Sequence, residues 1–155
     1  MARRRGARRA GPGGAPAFAF ARVEAESSIV RWFMSRHGGQ VLAQFPGLLA
    51  RLASEPCEVA LVFSGDRVVA LAAWTATGPG QAELLGAYCA SLRLAPWAFL
   101  FGPQGPIAAA GVERLWLLAD GPAQAKDLRR QGFQPTPAGP AAPGAARLER
   151  RIGAA

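Results

Sequence analysis

Among the 155 residues there is no Asn, and only one His, one Tyr, one Lys and two Cys. Cys57 and Cys89 share no CxxC spacing and have no cluster of histidines beside them, which excludes the usual zinc arrangements and leaves two buried thiols in a reducing cytoplasm as the plain reading. No metal is expected. With His37 the sole imidazole, a His-dependent triad has a single candidate base. In Ser35-Arg36-His37-Gly38-Gly39 that residue reads instead as a helix C-terminal cap, its charge suited to the helix dipole and a glycine stop following it. Charged residues are only 18% of the chain, yet Gly, Pro, Arg or Glu breaks every apolar run before about 18 residues, so a membrane-spanning helix is excluded and a soluble, cytoplasmic protein is expected.

What the chain does have is 50% hydrophobic residues, enough for one core and too apolar for intrinsic disorder. Gly and Pro together number 32, and 17 of the 18 basic residues are Arg. Together with the missing Asn, this bias fits a GC-rich coding sequence and lowers the weight of any count of Ala, Gly, Pro or Arg. The net charge of +8 is unevenly placed. Residues 1–22 hold Arg3, Arg4, Arg5, Arg8, Arg9 and Arg22 with no acid, leaving 12 basic against 10 acidic residues for the rest, or +2. We read 1–16 as a flexible Arg/Gly-rich tail and 17–155 as a single domain. Weak nucleic-acid contact through residues 3–9, by counterion release, is one role for such a tail; targeting is another, and a merely solvated segment the bland one.

The chain then reads as an alternation of elements. A short strand over Phe18–Val23 leads into a helix that starts around Glu24–Ser28 and stops at Gly38-Gly39. A second helix carries Val41, Leu42, Phe45, Leu48, Leu49 and Leu52 and is kinked or broken at Pro46. Two β-rich runs, Val59–Phe63 and Val68–Trp74, flank the turn composition Ser64-Gly65-Asp66-Arg67, and Thr77-Gly78-Pro79-Gly80 leads into a third strand over Ala82–Cys89. Two short helices follow, with Pro96 and Pro106 in their first turns, then a strand over Val112–Ala119 and a helix from Ala123 to Gln131 that Gly132 stops. Residues Gln134–Ala146 contain four prolines and read as a loop before a final edge strand ending at Ile152. Trp32, Trp74 and Trp116 all fall in elements expected to be buried, and Trp97-Ala98-Phe99-Leu100-Phe101 reads as core packing, with an acyl pocket or a docking patch as the other reading.

This order resembles the GNAT superfamily of acyl-CoA-dependent N-acetyltransferases across roughly residues 17–152. The resemblance is carried by the hairpin with Gly65-Asp66, by Ala82-Glu83-Leu84-Leu85-Gly86-Ala87-Tyr88-Cys89, by Ala110-Gly111-Val112-Glu113-Arg114-Leu115-Trp116-Leu117, and by Asp127-Leu128-Arg129-Arg130-Gln131-Gly132-Phe133. It implies an α+β fold: a central mixed, mostly antiparallel sheet with helices on both faces. It also implies that strands four and five diverge, here around Gly86–Cys89, and that the pantetheine arm of acetyl-CoA lies along the backbone of Leu84, Leu85, Gly86, Ala87, Tyr88, Cys89 and Ala90. The family's phosphate loop is represented only by Arg93. No glycine follows Ser91 until Gly102, Pro96 removes an amide, and the stretch is shorter than the family's usual loop and helix.

Within the same resemblance Glu83 stands where some members keep their general base, and its plain alternative is an exposed charge at a strand start. The proton donor position before Gly-Phe holds Asp127 and Leu128 in place of Tyr. Tyr88, five residues from Glu83, projects to the opposite sheet face in a regular strand and does not replace it. Three functions remain open. One is an N-acetyltransferase moving an acyl group from acetyl-CoA or another acyl-CoA to an amine-bearing small molecule or protein. Another is a non-catalytic module of the same fold with a degenerate cofactor loop. The third makes the Arg-rich tail the working element, on a scaffold domain.

Overall fold

The computed structural model describes residues 18–90, 95–119, 121–136 and 146–153. The tail, with the nucleic-acid contact assigned to residues 3–9, and Arg93 lie outside them. Seven strands form one sheet: β1 (Phe18–Val23), β2 (Glu58–Ser64), β3 (Arg67–Gly78), β4 (Gln81–Cys89), β5 (Arg114–Ala119), β6 (Gln134–Pro135) and β7 (Ala146–Arg151), in the order β1-β2-β3-β4-β5-β7-β6. Only β4 and β5 run parallel, because a helical crossover joins them while short turns join the strands before them. The β2–β3 turn has two central residues, Gly65 and Asp66, and Gly65 takes a φ of +63°, which favours glycine.

Helices cover both faces. On one face lie α1 (Ser28–Gln44) and α2 (Leu48–Ser54); on the other α3 (Ala95–Phe101) and α4 (Pro106–Ala109) follow β4, and α5 (Pro122–Arg130) packs against β5 and β7. Pro96 and Pro106 sit in the first turns of α3 and α4, as the sequence indicates. Phe99 meets Phe18 with ring centroids 5.4 Å apart, and Phe101 stacks on Trp97 at 5.9 Å; Leu100 and Phe101 are buried and Trp97 and Phe99 pack half-buried against the core, so the core-packing reading of this run holds. Gly132, at φ +93°, ends α5 and turns Phe133 into the core, edge-on to Phe101 at 5.5 Å.

Four expectations need correction. The first helix does not stop at Gly38-Gly39 but runs through to Gln44, the break falling at Phe45-Pro46-Gly47, so His37 lies inside α1 and caps nothing. Its ring packs 4.7 Å from Phe33 and 5.5 Å from Tyr88, where the packing of two half-buried rings on the buried Phe33 outweighs the cost of two mid-helix glycines. Trp32 is 48% exposed, because it lies on the solvent side of α1 with Arg36 across its ring. The last strand, β7, is internal to the sheet; the edge is the two-residue β6, drawn from the stretch that reads as a loop.

Candidate active site

The β4–β5 ladder holds for three residue pairs, Gln81–Arg114, Ala82–Leu115 and Glu83–Trp116, and then ends. Beyond it the β4 backbone from Leu84 onward faces β5 with no ladder partner there, so divergence begins two residues earlier than the sequence suggests. A bulge sets this point. On the β3 side, Ala73 pairs with Gly86 and Trp74 with Leu84, so Leu85 is an extra residue in β4. A bulge bends its strand and shifts the alternation of faces by one.

The shift changes which side chains meet. Glu83, Gly86 and Tyr88 all face α1 and α2: Glu83 bonds to Arg51, Gly86 abuts Leu48, and Tyr88 donates to Gln40 Oε1. The regular-strand expectation that Tyr88 points to the face opposite Glu83 is therefore overturned. Tyr88 nevertheless packs beneath α1, against Phe33 and His37, and does not line the cleft at the divergence. Leu48 fills the space left by the missing side chain of Gly86; a Cβ there would lie 3.0 Å from Leu48 Cδ2.

At the apex of the divergence is a cleft of about 160 Å³ lined by Phe45, Leu48, Arg51, Glu83, Leu117 and Leu118, among others. Its only ionisable lining groups among the described residues are Arg51 and Glu83. Arg51 Nη1 donates to Glu83 Oε2 at 2.7 Å and Nη2 to Glu83 Oε1 at 2.8 Å, while Nε donates to Glu55 Oε2 at 2.6 Å. Glu83's side chain is only 16% exposed. The hydrogen bonds that Arg51 donates to Glu83 and then to Glu55 push its guanidinium above the ordinary range, and the Arg51 bonds hold the Glu55 carboxyl below its own. The Arg51–Glu55 half, at i,i+4 with Glu55 at the C-cap of α2, has a local sequence signal; the link to Glu83 depends on the fold.

Cys89, Ala87 and Leu84 lie on the other face of β4. Cys89 is buried, and burial pushes its thiol well above the ordinary range; Cys57, half-buried, is raised by burial and by the nearby Glu55 and Glu58 charges. Ala90 donates its N–H to Val69 O at 2.8 Å. Asp127 sits on exposed α5 within 4.0 Å of Arg130. No group of three potential metal ligands occurs among the described residues, and none of their helices is long and apolar enough to cross a membrane. A larger groove, about 820 Å³, lies between α1 and the β2–β3 turn. It opens beside Ala90, about 20 Å along β4 from Glu83 at the usual rise per residue, so its size does not make it the reaction site.

No protein-family model matches this sequence, and no curated protein does. Solved structures do match. The chain is similar to an acetyltransferase from Bacillus subtilis in complex with CoA, at 11% identity over 87% of this chain and 99% of that one, with a TM-score of 0.57. It is similar to a GNAT family acetyltransferase from Elizabethkingia anophelis with acetyl-CoA bound, at 13% identity over 87% and 98% and a TM-score of 0.56. A Salmonella typhimurium acetyl transferase that modifies the N-terminal serine of a 50S ribosomal subunit protein matches at 11% identity over 91% and 98%, with a TM-score of 0.52. At such identities the likeness is one of fold.

Proposed function

Because the chain is a divergent member of the GNAT fold, we propose that it is an N-acetyltransferase carrying an acetyl group from acetyl-CoA to a primary amine by direct attack. The observation that carries this reading is the early end of the β4–β5 ladder with a carboxylate at its apex. Solved structures of the same fold with CoA or acetyl-CoA bound give it further support.

The residues present fit the co-substrate at one end. Along β4 from Leu84 to Ala90, the backbone amide and carbonyl groups that β3 does not take, the Ala90 N–H being one that it does, are offered toward the gap, which suits an extended arm containing amides, and Arg93 is assigned to the phosphates by charge alone. When bound, acetyl-CoA supplies an activated thioester carbonyl. Glu83 takes the proton from the incoming ammonium, and this frees the nitrogen lone pair for attack. Arg51 holds that carboxylate by both oxygens and so fixes its direction; the proton must displace one of these bonds. The described residues lining the cleft include no Tyr, His, Ser or Cys. The leaving thiolate therefore takes its proton from solvent, a modest demand for a thiol of ordinary pKa near 8.5. Burial on the opposite face argues against Cys89 as a nucleophile.

A calorimetric titration of the whole chain with acetyl-CoA and with desulfo-CoA, followed by an assay of CoA release with a panel of amines, tests the reading. Saturable binding of both ligands and amine-dependent release are expected. Absence of any CoA binding overturns it.

A further inference from the structure

We propose that the acceptor is a primary amine on an apolar body with no carboxylate beside the nitrogen, and that Arg51, saturated by two carboxylates of its own chain, imposes this choice. The inference rests on the acetyltransferase reading above. It begins from a count of donors. A guanidinium has five N–H groups, and those of Arg51 make four hydrogen bonds: Nε to Glu55 Oε2 at 2.6 Å, Nη2 to Glu55 Oε1 at 2.9 Å, Nη2 to Glu83 Oε1 at 2.8 Å, and Nη1 to Glu83 Oε2 at 2.7 Å. Arginine captures a substrate carboxylate through two parallel N–H donors. Here both such edges are taken, and one N–H on Nη1 is left over.

Charge points the same way. One guanidinium between two carboxylates leaves one net negative charge at the apex of the cleft. The remaining wall is largely apolar, from Phe45, Leu48, Leu84, Leu85, Leu117 and Leu118. An acceptor carboxylate brought to this place loses its water and meets like charge with no paired donors, whereas an ammonium meets an acceptor oxygen. The cleft of about 160 Å³ equals roughly five water volumes, which suits an amine and its first carbons. Leu118, 49% exposed at the rim, offers apolar surface for the body of the acceptor to cover. Glu55 does not line the cleft; it acts through Arg51 and is a positioning residue.

Phenethylamine, phenylalaninamide and phenylalanine separate the two factors, since the first two lack the carboxylate and phenethylamine also controls for amine basicity. With acetyl-CoA, kcat/KM for both is expected to exceed that for phenylalanine at least about tenfold, the scale of one unsatisfied charged group. Glu55→Ala releases the Nε edge of Arg51, which is then able to turn to the cleft, and should narrow the gap severalfold by lowering the KM for phenylalanine; the readout is the ratio between phenylalanine and phenethylamine, in which any change common to both cancels. The Arg51–Glu55 pair is about one-third exposed, so the variant should fold, and its circular dichroism melt checks this. Equal use of phenylalanine, or an unchanged ratio in folded Glu55→Ala, overturns the inference. Titration of the three amines into the desulfo-CoA complex separates it from its premise. If desulfo-CoA binds but neither phenethylamine nor phenylalaninamide does, the acceptor class is wrong and the acetyltransferase reading stands. If desulfo-CoA does not bind, both fall.

Discussion

Both oxygens of Glu83 are engaged by one guanidinium, and this shapes what its replacement should do. Glu83→Gln keeps an oxygen for Arg51 but removes the proton acceptor, so turnover near neutral pH should fall about 10²-fold. The deficit should shrink as pH rises and the amine arrives already deprotonated; a loss independent of pH would assign Glu83 a structural role only. The two thiols supply a contrasting test. Their pKa values are raised in the folded chain, so the neutral thiols contribute stability below the ordinary value of 9.0, and this contribution is lost as pH climbs toward the folded-state values. Chemical denaturation across the alkaline range should show stability falling above about pH 9, less steeply in Cys89→Ala, whose turnover should be nearly that of the parent.

At the level of elements, α1 carries an unused reserve of stability. Gly39 lies in the helix interior without a positive φ, and a Cβ there would meet nothing within 4 Å. Gly39→Ala should therefore stabilise the chain by roughly 0.5–1 kcal/mol in urea denaturation, a gain readable as a shifted midpoint with an unchanged slope. The same glycines explain where the sequence misleads. Gly38-Gly39 reads as a helix stop because local propensity is all a sequence displays, and the packing of Phe33, His37 and Val41 beneath α1 overrides it. Where a local rule is absolute, the reading holds: Gly65 at the hairpin, Pro96 and Pro106 in first turns, Gly132 after α5. The candidate site was legible only in part. Glu83 and the strand beside it stand out, but the extra residue Leu85, which sets the placement of Tyr88, has no composition to mark it, and the Arg51–Glu83 pair joins distant residues that only the fold brings together.

For the molecule as a whole, we expect charge and fold to be separable. Deleting residues 1–16 removes Arg3, Arg4, Arg5, Arg8 and Arg9, five of the formal +8, and leaves β1, Phe18–Val23, untouched. The truncated chain should bind heparin or single-stranded RNA far more weakly than the full chain at equal low salt, with a shallower salt dependence, while its affinity for acetyl-CoA is unchanged. Polyanion binding that survives the truncation would relocate the charge effect to the domain.

Leu85 has one more consequence. It works as a frameshift within a strand: ahead of it odd-numbered residues look toward α2, and behind it even-numbered ones do. Excising this single residue would therefore leave Glu83, Gly86 and Tyr88 looking the same way and Leu84, Ala87 and Cys89 the other, so the hydrophobic alternation survives intact. What it would erase is the bend. A straightened β4 could zip onto β5 past Glu83 and Trp116 and close the gap with ordinary ladder bonds. The deletion should give a folded protein with newly protected amides between Leu84 and Ala87 in hydrogen exchange and no measurable affinity for acetyl-CoA. By this logic, one inserted residue separates a continuous sheet from a sheet with a slot in it.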